Sequence, residues 1–242
     1  MLLEIKNLSK RYNKKEDYAI NDINIKADTH EVVGIIGHNG AGKSTTIKCL
    51  TGMHPYDKGT ILINGYDLMK EPILAKQNFG YVSDEFSLFD AMTGFELLCF
   101  MANIYGVSKE ERKIRIDELD DKFKLGENIY KVISSYSHGM KQKISIMAAL
   151  IHQPKVFILD EPMVGLDPFT IKELMEFFID YANKGNTVIF SSHNLDIVKK
   201  ICDRVYIIDQ GILKDEVNIN ELPNDFDFDE YFFNITNRIA KV

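Results

Sequence analysis

Residues 37–45 read Gly-His-Asn-Gly-Ala-Gly-Lys-Ser-Thr, with glycine, four residues, glycine, lysine and a hydroxyl in the spacing of a loop that wraps phosphate. The run before it, Glu31-Val32-Val33-Gly34-Ile35-Ile36, is apolar enough for a buried strand, and Thr45 to Thr51 can continue as a helix. That context constrains the chain more than the string does. Glycines let the backbone turn its amides onto a phosphate, and the helix N-terminus behind them adds partial positive charge. Gly37, His38, Asn39, Gly40, Ala41, Gly42, Lys43, Ser44 and Thr45 are therefore the expected nucleotide-binding residues. Lys43 supplies a point charge for the terminal phosphates and Ser44 a hydroxyl ligand for magnesium. The expectation is a nucleoside triphosphate site at the end of a strand.

Around this loop, strands and helices alternate, which points to an α/β fold: a mostly parallel sheet with helices on both faces. Leu2 to Lys6 and Ile20 to Ala27 alternate apolar with polar and read as half-exposed strands. Thr60-Ile61-Leu62-Ile63 runs into Asn64-Gly65, a tight-turn signal. These pieces suggest an antiparallel sheet added beside the nucleotide core. Asn78 to Ser83 is another short strand. From Glu85 to Leu125 the chain is helix-rich, with Thr93 and Ser108 as caps before Gly94–Ile104 and Lys109–Phe123. A third helix follows Ser137 and stops before Pro154. Lys155 to Leu159 reads as a strand buried on both faces. Helix Thr170–Asn183 ends at Lys184-Gly185, strand Thr187–Phe190 follows, and Val205 to Asp209 is the last clear core strand. The acidic stretch from Asn220 to Glu230, broken by Pro223, is expected to pack loosely.

The chain has 242 residues, enough for one substantial core or one large domain with a lobe. Its formal charge of −7 argues against a nucleic-acid partner, which asks for a basic face. Cys49, Cys99 and Cys202 lie far apart without metal-ligand spacing and read as buried free thiols. Met1 to Lys6 has no signal-peptide architecture, and no apolar run approaches the ~18 residues a membrane helix needs. Action at a membrane would then require a partner.

Phe157-Ile158-Leu159-Asp160-Glu161-Pro162 sets two carboxylates at the C-terminal end of a buried strand, the edge where open parallel sheets bind ligands. Asp160 suits magnesium, and Glu161 suits general-base work on an attacking water. Gly165-Leu166-Asp167-Pro168 comes next, and His193 follows strand Thr187–Phe190. Upstream, Ser137-His138-Gly139-Met140-Lys141-Gln142 opens a helix. In this order the residues resemble the ATP-binding subunit of an ABC transporter, over nearly the whole chain from about Leu2 to Gly211. Within that family the resemblance is strongest to subunits that energise bacterial exporters of peptides, drugs or lipids.

The resemblance implies a single ATP-binding domain. Residues 1–84 and 150–215 would form a phosphate-loop core with its β-subdomain, 85–149 a helical subdomain, and 216–242 a C-terminal tail. It implies ATP hydrolysis with magnesium, with Glu161 and His193 catalytic and His193 touching the γ-phosphate. Tyr12 falls where an aromatic ring stacks on adenine. Ser44, Asp84 and Asp160 fall at metal positions, Asp84 where the family has glutamine. Tyr136 to Met140 matches the signature whose serine and glycine, here Ser137 and Gly139, grip ATP held by a second subunit that Asp167 also faces. That signature usually reads Leu-Ser-Gly-Gly-Gln, so Tyr136, His138 and Met140 depart from it. The implied partners are a transmembrane permease on a separate chain, at the cytoplasmic side of the cell membrane, and a second ATP-binding subunit, either another copy or a related chain. The aromatic stretch Glu85–Met101, with Phe86, Leu88, Phe89, Phe95 and Phe100, is a candidate docking surface for the permease. The other readings fit less well. A GTPase needs a guanine-reading Asn/Thr-Lys-x-Asp segment, absent here, and ABC-type proteins that act on ribosomes or nucleic acid usually carry two such domains or a long coiled-coil insertion.

Overall fold

The computed structural model describes residues 1–13, 17–83, 89–223 and 225–236. Its centre is a six-stranded sheet in the order β10-β9-β3-β8-β7-β6. The strands are β3 (Glu31–Ile36), β6 (Phe79–Val82), β7 (Val156–Leu159), β8 (Thr187–Ser192), β9 (Arg204–Asp209) and β10 (Ile212–Asn218). All neighbours are parallel except β10, which closes one edge antiparallel to β9. In register, Leu159 lies beside Phe190, and Ile36 beside Ser192 and Ile207. The strand ends bearing the phosphate loop, the carboxylates and His193 therefore share one edge. The run Val156–Leu159 is fully buried, as a wholly apolar strand between two layers must be.

A second sheet, β2-β1-β4-β5, is antiparallel throughout. It consists of β1 (Leu3–Lys10), β2 (Ile20–Ala27), β4 (Lys58–Ile63) and β5 (Tyr66–Asp67). Asn64 and Gly65, both with positive φ, make the tight turn between β4 and β5. Its apolar face closes one core with α1 (Lys43–Leu50) and one face of the parallel sheet, through Ile5, Leu8, Ile25, Ile47 and Ile158.

On the opposite face a larger core gathers α3 (Gly94–Ile104), α5 (His138–Leu150), α6 (Pro168–Asn183) and α7 (Leu195–Ile201). Thr93 caps α3 in a reciprocal box with Glu96, and Ser108 caps α4 (Lys109–Phe123). Helix α4 buries only Ile116 and Phe123, so its charged remainder faces outward.

Several elements differ from the sequence expectation. Strand β10 follows the supposed last strand through the turn Gln210-Gly211; its half-exposed, polar residues hid an edge strand. Helices α2 (Pro72–Gln77) and α7 were not expected, being short and weakly patterned. The described part of the tail does not pack loosely. Helix α8 (Phe228–Ile235), capped by Asp227, buries Phe228 and Phe232 in the larger core and pairs Asp229 with Lys199 at 2.8 Å. The acidic composition lies on its outward face, and two phenylalanines one turn apart decide its position. All three cysteines are free, but Cys99 is only half-buried.

Candidate nucleotide site

The loop between β3 and α1 occupies the centre of the sheet edge. Gly42 holds φ 112°, open to glycine and strained for other residues. Gly37 packs so close to β9 that a Cβ would meet the Ile208 carbonyl at 2.3 Å. The loop, Tyr12 and Glu161 line a cleft of about 440 Å³. Lys43 is 4 % exposed and donates to the carbonyls of Gly37 at 2.8 Å and His38 at 3.3 Å. Its Nζ also lies 3.1 Å from Glu161 Oε1.

Both carboxylates follow β7. Asp160 is buried, and its Oδ1 accepts from Ser44 Oγ at 3.2 Å and Ser191 Oγ at 2.6 Å. The side-by-side hydroxyl and carboxylate are hard oxygen donors of the kind magnesium takes. Glu161 has φ 46°, an uncommon conformation for a residue with a Cβ. Its amide donates to Ser191 Oγ at 2.8 Å, and its Oε2 meets His193 Nδ1 at 3.0 Å. Lys43, Glu161 and His193 thus form one contiguous chain of groups. A carboxylate so placed can take a proton from a water that attacks a phosphate in the cleft. Ser191 escaped the sequence reading although its hydroxyl ties the Asp160 carboxylate to the Glu161 backbone amide; its position two residues before His193, at the end of β8, was the available signal.

Tyr12 is exposed beside the loop, its hydroxyl 3.1 Å from Thr45 Oγ1 and 3.4 Å from His54 Nδ1. Asp84, like Phe86 and Leu88 of the candidate docking stretch, lies outside the described residues.

The signature segment sits elsewhere. Ser137 caps α5 and accepts from the Met140 amide at 3.3 Å. His138 Nε2 lies 3.0 Å from the Val164 carbonyl. Asp167 caps α6, accepting from the amides of Phe169 and Thr170 and, at 2.6 Å, from the Thr170 hydroxyl. The Thr170 hydroxyl first, and then these amides, hold the Asp167 carboxyl below the usual carboxylate range. Ser137, Gly139 and Asp167 line a separate cleft of about 350 Å³ that includes neither Lys43 nor Glu161.

The family model described as ABC transporter matches residues 20–164. The chain is 40% identical over 210 residues to the linearmycin resistance ATP-binding protein LnrL of Bacillus subtilis, covering 87% of this chain and 67% of that protein. The chain belongs to the ABC transporter family. ABC ATP-binding domains are ATP hydrolases coupled to transport, and this chain is one of them. It is also 32% identical to the methionine import ATP-binding protein MetN of Clostridium acetobutylicum, over 91% of this chain and 70% of that one. A solved structure described as the ATP binding subunit of an ABC transporter superposes with a TM-score of 0.90 at 33% identity, covering 98% of this chain and 100% of that chain. The phosphate-loop core, its parallel sheet and the added antiparallel sheet are thus the fold of ABC ATPases.

Proposed function

We propose that this chain powers an exporter, working as one of two ATP-binding subunits that close face to face on ATP beneath a permease carried on a separate chain. The observation that carries the reading is the separation of two half-sites: Lys43, Ser44, Asp160 and Glu161 around one cleft, and Ser137, Gly139 and Asp167 around another. A single copy offers ATP only one of them at a time. Closing two subunits head to tail supplies the other and brings the helix N-terminus behind Ser137 to the γ-phosphate.

Within this scheme Lys43 and the loop amides bind the phosphates, and Tyr12 stacks on the adenine. Glu161 draws the proton from the attacking water. His193, held to Glu161 Oε2, keeps that carboxylate aimed and meets the γ-phosphate. Ser44 and Asp160 would hold magnesium, which when bound neutralises charge on the terminal phosphates. We assign residues 1–84 and 150–215 to the nucleotide core, 85–149 to a helical subdomain and 216–242 to the C-terminal tail.

No described helix is long and apolar enough to cross a membrane, and ABC ATPases work with permease subunits. Docking is proposed on the helical region, where Phe100 and, one turn on, Ile104 are exposed on α3, and Phe95 packs against exposed Tyr130 with ring centroids 5.5 Å apart. This position is at the cytoplasmic side of the membrane. Export is favoured because the drug-resistance relative is the more similar, at 40% identity against 32% for the import relative. ATP-driven transport in inside-out vesicles carrying the chain and its permease tests this reading. Substrate accumulation inside them supports export, and accumulation only in right-side-out vesicles overturns it.

A further inference from the structure

The phosphate loop is tied to the end of β9 by a contact that the catalytic scheme does not use. His38 Nε2 lies 2.5 Å from Asp209 Oδ1, and His38 Nδ1 lies 2.7 Å from the Asn39 carbonyl. The ring thus spans from the loop's own Asn39 carbonyl to the side chain at the end of β9, one nitrogen to each. Asp209 is 4 % exposed, and a polar group buried to that degree needs a hydrogen-bond partner, which the His38 ring supplies.

The surroundings extend this tie into a seam. The Gly211 amide, just past β9, donates to the Ala41 carbonyl at 2.8 Å. Gly37 lies against the Ile208 carbonyl with no room for a side chain. Lys43 Nζ reaches the His38 carbonyl at 3.3 Å and lies 3.1 Å from Glu161 Oε1 beyond it. Both ends of the loop are therefore anchored: Lys43 begins α1, and His38 is clamped to the strand behind.

We propose that His38 is a positioning residue, a latch whose pairing with Asp209 holds the phosphate loop in its binding shape before ATP arrives. Its contribution to affinity then lies in loop geometry rather than in net charge. The sign of one substitution separates these effects. Asp209 is a negative charge near a phosphate site, so acting as a charge alone it repels ATP, and Asp209→Asn then tightens binding. Acting as the latch partner, it aids binding, and Asp209→Asn weakens it.

The inference rests on the loop being the ATP cradle, and Lys43→Ala is the control for that reading. Two measurements decide the matter. Nitrogen NMR of the imidazole rings, with His38 assigned through its own backbone, reads the hydrogen bond at Nε2. The latch requires the His38 Nε2 signal of the native chain to shift in Asp209→Asn while the other ring signals stay in place. Equilibrium ATP binding to the native chain, His38→Gln, Asp209→Asn and the double variant reads the positioning. Each single variant is expected to bind roughly tenfold more weakly, and the double variant no more weakly than either. A His38 Nε2 signal that Asp209→Asn leaves unmoved, tighter binding by Asp209→Asn, or losses that multiply in the double variant overturns the latch. If Lys43→Ala binds ATP as the native chain does, the cradle reading fails instead. The NMR comparison stands even if His38→Gln does not fold.

Discussion

The two clefts differ in how they are built. Around the phosphate loop the decisive side chains point inward and hold one another: Lys43 and Asp160 are nearly inaccessible, and Glu161 is gripped by Lys43, His193 and Ser191. Around the signature, Ser137 and His138 are exposed, and the polar groups of Ser137 and Asp167 serve mainly to cap their own helices. Bonds among neighbours preorganise the first cleft for a highly charged ligand. The second presents a capped helix end to solvent, and on the proposed scheme only another subunit completes it.

This contrast predicts that substitutions in the first cleft act on one copy, whereas those in the second act on the pair. The largest effect is expected from Glu161→Gln. It removes the proposed base while keeping the side-chain shape, so hydrolysis should fall by ~10²–10⁴-fold with ATP binding retained, read by phosphate release beside equilibrium binding. Lys43→Ala removes a buried cation from the loop, and nucleotide affinity should drop by ~10–100-fold, an effect visible in the isolated chain. Equal affinity for the two proteins would break the account of the first cleft.

A smaller effect is expected in the second cleft. Ser137→Ala should leave ATP affinity of the isolated chain unchanged, lower Tm by ~2–4 °C through the lost cap, and reduce hydrolysis by about tenfold at concentrations where two copies meet. Unchanged hydrolysis would mean that the segment is only a helix start.

Legibility in the sequence divides along a related line. The phosphate loop, the caps Thr93 and Ser108, and the buried run Val156–Leu159 were readable because each is fixed by local chemistry: glycine φ, an oxygen facing amides, or unbroken apolarity. Strand β10, helix α8 and Ser191 were not. β10 carries polar residues because it is an edge strand, and α8 is positioned by Phe228 and Phe232 entering a core built by distant segments. Ser191 gains its importance from lying across the sheet edge from Asp160, 31 residues away in sequence. Asp167 was read as facing a second subunit, and its described bonds are those of an α6 cap.

The smallest prediction concerns the seam between helical region and core. At the end of α3, Tyr105 stacks on His152 with centroids 3.6 Å apart, and His152 Nε2 lies 3.1 Å from the Phe79 carbonyl of β6. Burial pushes the His152 imidazole down to about 4, opposed by the bond to Phe79 and aided by the nearby Arg115. With the folded value below the unfolded value of 6.5, the unfolded chain binds the extra proton first. The contribution of His152 to stability is therefore complete above 6.5 and is lost as pH falls toward about 4. Thermal melts across that window should fall less steeply for His152→Phe, which keeps a ring on Tyr105 and cannot titrate; parallel curves would remove His152 from the acid response.

The central claim, that ATP joins the two unlike clefts across two copies, is tested most directly by the mass of Glu161→Gln in solution with ATP and magnesium. Light scattering should show twice the 27.8 kDa of one chain, and adding Ser137→Arg to the same variant should return it to the single mass. A Glu161→Gln chain that binds ATP and stays at 27.8 kDa at every concentration would contradict the claim.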